Sequence, residues 1–402
     1  MSFKDKIFIK NLRLEGMRVL VRVDFNVPLR NGVVENDKRL TAALPTIIHL
    51  QEQGAKTILV SHLGRPKGQV NDEMRLGPVA ERLGKILYKE VKYCDEVVGE
   101  KAVQATKDLK NGEAILMENV RFHAEEEKND EAFSKQLAEL CDGIYVNDAF
   151  GTAHRAHAST AGVTKFVDTA ACGFLLKMEL DYLTKALTAP DHPFVGIIGG
   201  AKVSSKIGVI EAMLEKVDHL LLGGAMTFTF LKAKGLEVGK SLAEDDYVDL
   251  AKELMEKGAG KILLPQDVLV SDTFDFKNRS VGALNSVGID AIPTDTFGLD
   301  IGEKTLAQFK DVIGKARTVV WNGPMGVFEI EATAQGTLQL AHAIADVTDA
   351  GAMTIVGGGE SVTAVEKAGL EMRVSHVSTG GGAALKFLEG KDLPGVAALS
   401  QA

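Results

Sequence analysis

The chain has 402 residues, of which 45% are hydrophobic and 25% are charged, as is usual for a globular protein of two or three domains. Residues 1–170 carry 25 basic and 25 acidic side chains, so the net charge of −9 comes from the remainder, and the chain lacks the net basic face of a nucleic-acid-binding protein. No run of 18 apolar residues and no charged-then-apolar leader indicates a membrane span or a signal peptide. Three cysteines without CxxC spacing favour a reducing cytoplasm over zinc or a disulfide framework; they are Cys94, Cys141 and Cys172.

Short apolar, β-branched runs recur along the chain, and each stops at a glycine or a polar cluster. They alternate with helical patterns, for example over 131–140 and 204–216, so they predict buried parallel strands of an α/β fold that occurs twice. The predicted strands are 18–23, 57–60, 114–117 and 144–146 in the first half, and 194–198, 219–222, 261–264, 318–321, 353–356 and 375–377 in the second.

A helix is predicted over 174–187, where leucines recur on one face at positions 176, 180, 183 and 187. Pro190 and Pro193 follow it and would end it. We interpret this helix as a link between two domains, because an arginine-rich half gives way to a glycine-rich half here. The alternative is one more packed helix inside a domain.

Arginine and glycine are sorted between the two halves. Ten of the 13 arginines precede residue 171, whereas 29 of the 41 glycines follow it. Arginine side chains bind carboxylates and phosphates bidentately, and glycine-rich loops let backbone N–H groups close on phosphates. The sorting therefore predicts a small polyanion held by side chains in the first half, phosphates held by backbone in the second, and phosphoryl transfer between the two.

Ligands of open parallel sheets bind beyond the carboxyl ends of the strands, so the loops after the predicted strands carry the candidate residues. Asp24 and Asn26 follow the first strand and are suited to hydrogen-bond a sugar-like hydroxyl group. Taken singly, each arginine is typical of a solvated surface, and the histidines at 62, 154 and 157 equally fit packed or capping roles. The side chains expected to converge on one cleft are Arg22, Arg39, His62, Arg65, Arg121, His154 and Arg155.

Five glycine-containing loops follow predicted strands of the second half, at 199–202, 223–226, 322–326, 357–361 and 379–382. Lys202 and Lys206 are four residues apart, which predicts one shared face of the helix that the first loop opens; a solvated pair is the alternative. The chain has no GxxxxGK[ST] and no GxGxxG, and it lacks the catalytic motifs of protein kinases. These absences argue against P-loop, dinucleotide-binding and protein-kinase enzymes.

Eight segments, in this order, resemble the phosphoglycerate kinase family of bacterial type over the whole chain. They are 22–28 (RVDFNVP), 61–66 (SHLGRP), 118–122 (ENVRF), 154–157 (HRAH), 200–203 (GAKV) followed by Lys206, 321–324 (WNGP), 357–359 (GGG) and 378–382 (STGGG). The resemblance implies two doubly wound, Rossmann-like parallel-sheet domains joined by a hinge helix. It further implies a phosphoglycerate-binding domain over 1–172, an interdomain helix over 173–188, a nucleotide-binding domain over 189–385, and a segment over 386–402 that packs back on the first domain.

The reaction that the resemblance implies is reversible phosphoryl transfer from 1,3-bisphosphoglycerate to ADP, in line and after domain closure, giving 3-phosphoglycerate and ATP. The implied phosphoglycerate ligands are Asp24, Asn26, Arg39, His62, Arg65, Arg121 and Arg155. The implied nucleotide ligands are Gly200, Ala201, Lys206, Gly224, Gly302, Asn322, Pro324, Glu329, Gly358, Gly359, Glu360 and Ser361.

Arg39 and Lys202 match the family residues that stabilise the transferring group, and we expect backbone N–H groups of Gly358 and Gly381 to assist at helix N-termini. Mg²⁺ is expected with ADP or ATP. The family most often has Asp after the glycine triplet, but Glu360 stands there in this chain. Glu is one methylene longer and is still a hard oxygen ligand, so we expect the metal to be kept.

The implied enzyme is a cytoplasmic monomer with no nucleic-acid or membrane partner. Two other classes of protein remain open at this point. A two-domain nicotinamide dehydrogenase would need the dinucleotide fingerprint that the chain lacks. A non-enzymatic anion-binding protein would bind phosphoglycerate without turnover and would not need Lys202.

Overall fold

Two six-stranded parallel sheets form the framework of the protein. The computed structural model describes residues 5–402. These divide into a first unit, which comprises the residues up to 181 together with 392–402, and a second unit, which comprises 182–391. The predicted fold class, two doubly wound parallel-sheet domains, is confirmed. Within 5–402, none of the helices has the length and apolar character needed to cross a membrane.

The first unit contains eight strands and seven helices among its described residues. The strands are β1 (Arg18–Val23), β2 (Leu29–Arg30), β3 (Val33–Val34), β4 (Lys56–Val60), β5 (Val91–Cys94), β6 (Ala114–Met117), β7 (Ile144–Asp148) and β8 (Thr169–Cys172). The helices are α1 (Lys38–Glu52), α2 (Gly77–Leu87), α3 (Glu100–Lys107), α4 (Ala124–Lys128), α5 (Glu131–Ala138) and α6 (Phe174–Thr188), which crosses into the second unit, with α14 (Pro394–Ala397) at the end of the chain.

The first sheet has the order β5-β6-β4-β1-β7-β8, and all of its pairs are parallel. The central strand β1 is buried from its second residue onward, including Arg22, and its apolar run 19–21 is typical of a central strand. From β1 the chain moves towards one edge, and from β7 it moves towards the other. The topological switch point therefore lies between β1 and β7, which is where ligands of such sheets bind.

The second unit repeats this plan. Its strands are β9 (Phe194–Ile198), β10 (His219–Leu222), β11 (Ile262–Leu263), β12 (Asp267–Ser271), β13 (Phe274–Asp275), β14 (Ser280–Val281), β15 (Asn285–Gly288), β16 (Phe297–Ile301), β17 (Thr318–Asn322), β18 (Met353–Gly357) and β19 (His376–Val377). Its helices are α7 (Ile207–Leu214), α8 (Met226–Ala233), α9 (Val248–Lys257), α10 (Glu303–Gly314), α11 (Gln335–Asp349), α12 (Gly359–Lys367) and α13 (Gly382–Leu388).

The second sheet has the order β11-β10-β9-β17-β18-β19, so its switch point lies between β9 and β17. Both of these strands are fully buried. A separate antiparallel sheet, β15-β12-β16, covers an apolar cluster of its own with α8. This small sheet was not predicted from the sequence, where β15 (Asn285–Gly288) has no apolar run and no buried residue.

All ten predicted strands are present, with bounds that agree within two residues. Two strands of the first sheet were missed, and both lie at its edges. The edge strand β5 (Val-Lys-Tyr-Cys) has Lys92 and the exposed Tyr93 at its centre, and β8 (Thr-Ala-Ala-Cys) is built from small side chains. Neither pattern resembles the continuous apolar run of a central strand, so a search for such runs did not detect these two strands.

The predicted linking helix is α6, which runs across the boundary of the two units at residues 181 and 182. The segment 392–402 belongs to the first unit, where Gly395 N donates to Ala153 O at 2.9 Å and Ser400 N donates to Ala170 O at 2.9 Å. Residues 386–391 belong to the second unit, whereas the predicted returning segment begins at 386. The assignment of a ligand to each domain stays a prediction.

The N-terminus of α6 is held by a buried carboxylate at the end of β7. Asp148 Oδ1 accepts hydrogen bonds from Leu175 N (2.9 Å) and Leu176 N (3.2 Å), and Thr46 Oγ1 accepts one from Phe174 N (2.9 Å). These acceptors satisfy N–H groups that a helix leaves unpaired in its first turn. The linking helix is therefore tied directly to the central sheet of the first unit.

Asp148→Asn is expected to raise the free energy of unfolding at pH 8 by roughly 2–4 kcal/mol, since one pKa unit corresponds to about 1.4 kcal/mol. Burial raises the pKa of Asp148 to about 7, despite the hydrogen bonds that favour its ionised form. The folded chain thus binds this proton more tightly than the unfolded chain, whose carboxyl pKa is about 3.9. The stability associated with Asp148 is therefore fully present at low pH and is lost as the pH rises from about 4 to about 7.

Urea unfolding of both proteins at pH 5 and pH 8 measures this effect. Asn keeps an acceptor for the two N–H groups and carries no charge, so the advantage of the variant should be larger at pH 8. An equal difference at both pH values would contradict the assignment. Asp142→Asn is a control of opposite sign, because hydrogen bonds and the charge of Arg18 outweigh burial and lower the pKa of Asp142.

Candidate active site

The first candidate site begins with a buried carboxylate after β1. Asp24 accepts a hydrogen bond from Arg39 Nη1, and its Oδ1 lies 3.9 Å from His62 Nδ1. Burial opposes ionisation of Asp24, but the charges around it lower its pKa, that of His62 only when the imidazole is protonated and those of Arg39 and Arg22 at any pH. Desolvation holds the pKa of His62 well below its ordinary value, so this imidazole is neutral near pH 7. The two arginines therefore supply the charge that keeps Asp24 ionised.

Arg22 is fully buried and organises the floor of this site. Its Nη2 donates to His62 Nδ1 at 3.2 Å, which leaves the imidazole proton on Nε2, and its Nε donates to Ser159 Oγ at 2.8 Å. Ser159 in turn donates through Oγ (2.6 Å) and N (2.9 Å) to the fully buried Glu126. Arg22 was predicted from the sequence as one of the side chains that converge on the cleft. In the structure it is a positioning residue, because it orients the imidazole of His62.

Gly64 connects two further predicted residues. Asn26 Oδ1 accepts from Gly64 N at 2.9 Å, and Arg121 Nη1 donates to Gly64 O at 2.9 Å. The Arg121 side chain is 5% exposed. Its Nε lies 3.2 Å from Glu127 Oε1, yet neither Nε nor Nη2 has a hydrogen-bond partner within residues 5–402. Buried guanidinium N–H groups without partners are the donors that a phosphate or carboxylate ligand would satisfy.

The positive charge of this cluster is concentrated around Arg121. Burial lowers the pKa of Arg121, Glu127 opposes this change, and the charges of Arg155 and Arg22 lower it further. Arg155 is half-buried and donates from Nε to His154 Nε2 at 3.2 Å. Arg65 is exposed in the loop after β4 (Lys56–Val60). Of the seven phosphoglycerate ligands that the resemblance implies, six are therefore linked to one another by contacts or charge interactions. The seventh, Arg65, lies on the surface.

The two remaining histidines serve the packed role that was held open as the alternative. Nε2 of His154 accepts from Arg155, and His157 Nδ1 lies 3.8 Å from Glu126 Oε1. Burial, followed by the charges of Arg121 and Arg22, lowers the pKa of His157 to about 4. The imidazole of His157 is therefore neutral near pH 7 and lies between charged groups.

The second candidate site is a cavity of about 320 Å³ at the carboxyl edge of the second sheet. It is lined by Gly199 and Gly200 after β9, by Gly224 after β10, and by Gly323 and Pro324 after β17. Four of the five predicted glycine loops therefore line one space at the switch point, the fourth of them through Glu360. Of the predicted nucleotide ligands, the residues that line it are Gly200, Ala201, Lys206, Gly224, Pro324, Glu329 and Glu360.

Glycine is required at the switch point because two backbones approach closely there. A Cβ atom on Gly199 would overlap the carbonyl oxygens of Gly323 and Pro324. Gly323 has φ +96° and its own Cβ would overlap the carbonyl oxygen of Gly199, so both space and conformation exclude a side chain. Trp321 is fully buried below this contact and donates from Nε1 to Gly323 O at 2.8 Å.

Lys206 points into the site and is held there. Its Nζ donates to Asn322 Oδ1 at 2.7 Å, and burial lowers its pKa, although Glu360 and Glu389 oppose this change. The prediction that Lys202 shares a helix face with Lys206 was wrong. Lys202 is exposed and has an extended backbone. A 3₁₀ turn at Val203–Ser205 follows it, and Lys206 is the N-cap residue of α7, so the two lysines do not lie on one helix.

The other predicted nucleotide ligands lie around the cavity. Ser361 Oγ accepts from Gly323 N (2.8 Å) and donates to Gly357 O (2.7 Å), which fixes one loop to the next. Gly358 and Gly381 are the N-cap residues of α12 and α13, as their expected role requires. Gly302 packs against the Asp267 carboxylate, which accepts from N–H groups in the first turn of α10.

Carboxylates line the same cavity. Glu329 and Glu360 each contribute to its wall, and Glu360 is exposed in the first turn of α12 (Gly359–Lys367). No cluster of three or more His, Cys, Asp or Glu side chains suited to a metal occurs within 5–402. Mg²⁺ commonly binds through one or two carboxylates together with substrate phosphates, so this donor set fits a metal that arrives with a nucleotide.

Asp300 and Phe276 are among the residues of the cavity wall that were not predicted from the sequence. Asp300 accepts from Ile301 N and Gly336 N, both at 2.8 Å, and burial raises its pKa to about 7. It lies in β16, outside the six-stranded sheet, so the rule that searches loops after sheet strands did not reach it. Phe276 carried no signal, because an aromatic residue in a polar turn is usually unremarkable.

The phosphoglycerate kinase family model matches residues 9–391. A phosphoglycerate kinase from Picosynechococcus sp. is 56% identical over 403 residues and covers 100% of both chains. The chloroplastic phosphoglycerate kinase of Volvox carteri is 54% identical over 96% of this chain and 84% of its own length. The solved phosphoglycerate kinase structure from Coxiella burnetii has a TM-score of 0.87 at 43% identity, and that from Pyrococcus horikoshii has 0.84 at 33%, each over 98% of both chains.

Two Rossmann-like units, one with a buried cluster of arginines and one with a glycine-lined cavity, define a two-domain α/β phosphotransferase. The chain belongs to the phosphoglycerate kinase family. The predicted enzyme class, a phosphotransferase with a carboxyl group as acceptor, is confirmed, as is the reversible glycolytic reaction of 1,3-bisphosphoglycerate with ADP. The dehydrogenase and non-enzymatic alternatives are therefore wrong.

Proposed function

We propose that the arginine cluster of the first unit binds phosphoglycerate and that the cavity of the second unit binds ADP or ATP. The observation that supports this assignment most is the cavity itself. Its volume of about 320 Å³ lies in the range of small-molecule sites, and glycine loops, Lys206 and carboxylates line it at a switch point. Phosphates would lie against the glycine loops, where backbone N–H groups can approach them.

The phosphoglycerate ligands that we propose share a place around Gly64 and Asp24. Unpartnered N–H groups of Arg121 would bind the phosphate, and the Nε2–H of His62 would donate to the ligand. Asn26 is suited to the hydroxyl group. Together with the exposed Arg65, the full set remains Asp24, Asn26, Arg39, His62, Arg65, Arg121 and Arg155.

For the transfer itself we propose that Arg39 and Lys202 stabilise the charge of the moving phosphoryl group, assisted by backbone N–H groups of Gly358 and Gly381. No general base is needed, because the carboxylate of 3-phosphoglycerate is already a nucleophile. Mg²⁺ brought in with the nucleotide would neutralise phosphate charge beside Glu360.

An acyl phosphate hydrolyses readily, so transfer requires the exclusion of water. Domain closure about the linking helix α6 is the corresponding proposal, and its support is chemical. Small-angle scattering with both substrates bound would show compaction, and an unchanged radius of gyration would contradict it. A monomeric state and a cytoplasmic location stay predictions.

The direct test is phosphoryl transfer from Mg-ATP to 3-phosphoglycerate, coupled to NADH oxidation by glyceraldehyde-3-phosphate dehydrogenase. Turnover should require both substrates and magnesium. A folded protein that binds both ligands without turnover would contradict the proposed transfer, and Glu360, where the chain departs from the family pattern, would be the first residue to test.

ADP binding is expected to change the fluorescence of Trp321, the only tryptophan of the chain. Its indole N–H is bonded to Gly323 in the wall of the cavity, so a ligand that displaces this loop alters the environment of the ring. Titration with ADP and, separately, with 3-phosphoglycerate measures the effect. An equal response to both ligands would count against the assignment of ADP to this cavity.

A further inference from the structure

A short hairpin of the second unit reaches the cavity from outside both six-stranded sheets. It consists of β13 (Phe274–Asp275) and β14 (Ser280–Val281), which pair antiparallel and enclose the turn 276–279. The Asp275 carboxylate orders this turn by accepting hydrogen bonds from Asn278 N (2.9 Å) and Asn278 Nδ2 (2.7 Å). The turn is therefore a defined structure, although all four of its side chains are exposed.

The two ends of the turn line two adjoining cavities. Phe276 lines the cavity at the switch point, and its ring packs edge-on against Phe274 with centroids 6.3 Å apart. Arg279 lines a second cavity, also of about 320 Å³, together with Gly359 and Lys367. Glu329 and Glu360 line both cavities, so these two spaces share a wall. The turn thus runs along the side of an extended site.

The walls of this extended site differ in polarity. At one end, Phe228 and Val268 belong to the apolar cluster beneath the small antiparallel sheet, and Phe276 and Leu299 join them in lining the cavity. The glycine loops and Lys206 line the remainder. A nucleotide has the same division, since its base has apolar faces and its phosphates are anionic. The apolar end therefore suits the base.

The state of Phe276 suggests that its proper partner is a ligand. The residue is 57% exposed, although it is a large apolar side chain beside an apolar wall. Burial of such a ring against a second flat surface is favourable, and aromatic side chains commonly stack on nucleobases. At the other end of the turn, the exposed Arg279 guanidinium adjoins the N-terminus of α12 (Gly359–Lys367), where anions are also favoured.

We propose that the turn 276–279 covers the bound nucleotide, with Phe276 packed on the base and Arg279 facing the phosphates. The proposal rests on the assignment of the nucleotide to this cavity. It makes Phe276 a specificity-determining residue, because it distinguishes a ligand that has a base from phosphates alone. Arg279 contributes to both kinds of ligand.

The test compares ADP with inorganic tripolyphosphate, which has no base, by isothermal titration calorimetry. Phe276→Ala is expected to raise the Kd for ADP about five- to tenfold and to leave the Kd for tripolyphosphate unchanged. Phe276→Tyr keeps the ring and should keep the affinity of the wild type. Arg279→Ala should weaken both ligands by a similar factor of a few, and this factor should shrink as salt is added.

Met372→Ala is the matched control, since Met372 is 96% exposed in the same unit and lines neither cavity. Its affinities should equal those of the wild type. An unchanged Kd for ADP in Phe276→Ala would overturn the proposal, and so would an equal weakening of ADP and tripolyphosphate. If the wild-type protein did not bind ADP, the assignment of the nucleotide to this cavity would be overturned. That result differs from one in which ADP binds but Phe276→Ala has no effect, which would overturn only the role of the turn 276–279.

Discussion

Replacing Arg39 or Lys202 by Ala is expected to lower kcat by about 10²–10³, with a much smaller change in KM. A preorganised charge that meets the transferring group acts mainly in the transition state, so its loss appears in kcat. Arg39 is oriented for such a role by its ion pair with the buried Asp24, and Lys202 is exposed beside the glycine loop after β9. The coupled assay at saturating Mg-ATP and 3-phosphoglycerate measures both constants.

Arg30→Ala is the control for the arginine, because Arg30 is a surface residue of the same unit with 79% of its side chain exposed. It should retain wild-type turnover. If Arg39→Ala or Lys202→Ala stayed within a few-fold of the wild type, the assignment of that residue would be wrong. A large rise in KM at unchanged kcat would instead place the residue in ground-state binding.

Arg22→Met is expected to lower the free energy of unfolding by about 3–5 kcal/mol, because it leaves buried partners without a cation. Arg22 and Glu126 are both fully buried, and Ser159 joins them through two hydrogen bonds of 2.8 and 2.6 Å. Burial already raises the pKa of Glu126, and Arg22 opposes that rise. Without Arg22 the carboxyl group must take up a proton or remain as an unpaired charge. Urea unfolding at pH 7 measures the loss.

Two variants sharpen this measurement. Glu126→Gln combined with Arg22→Met should recover part of the loss, since it removes the unpaired charge. Arg82→Met removes an arginine whose side chain is 44% exposed and paired with Asp37, and it should destabilise the protein far less than Arg22→Met. Equal destabilisation by Arg22→Met and Arg82→Met would show that burial of the network is not what makes Arg22 important.

The central strands and their carboxyl-end loops were predictable from the sequence because they follow a local rule. A strand buried on both faces is mostly apolar, and β1, β9 and β17 each contain a continuous apolar run, over 19–21, 194–198 and 319–321. Edge strands obey no such rule, so β5 and β8 were missed. Once these strands were predicted, the loops after them were predicted too. These loops contain the glycine positions and most of the arginine cluster.

Roles within the site were less predictable, since they depend on burial and on partners that are distant in the chain. Arg22 and Arg121 look alike in the sequence, yet Arg22 is fully bonded inside the network, whereas Arg121 keeps buried N–H groups without partners. The spacing of Lys202 and Lys206 suggested one helix face, but a 3₁₀ turn separates the two residues. Phe276 lines the cavity from the hairpin and Asp300 lines it from the small antiparallel sheet. No periodicity in the sequence predicted either element.

The sequence by itself determined that an α/β pattern occurs twice, to which family the chain belongs, and that the chain has an arginine-rich and a glycine-rich half. These properties are written in local patterns and in the order of motifs along the chain. Only the tertiary structure decided which arginine is bonded inside a buried network and which keeps buried N–H groups without partners, that Asp148 accepts hydrogen bonds from the first turn of the linking helix, and that a distant hairpin lines the cavity. Such roles arise from desolvation and from contacts between residues far apart in sequence, and both depend on the folded arrangement.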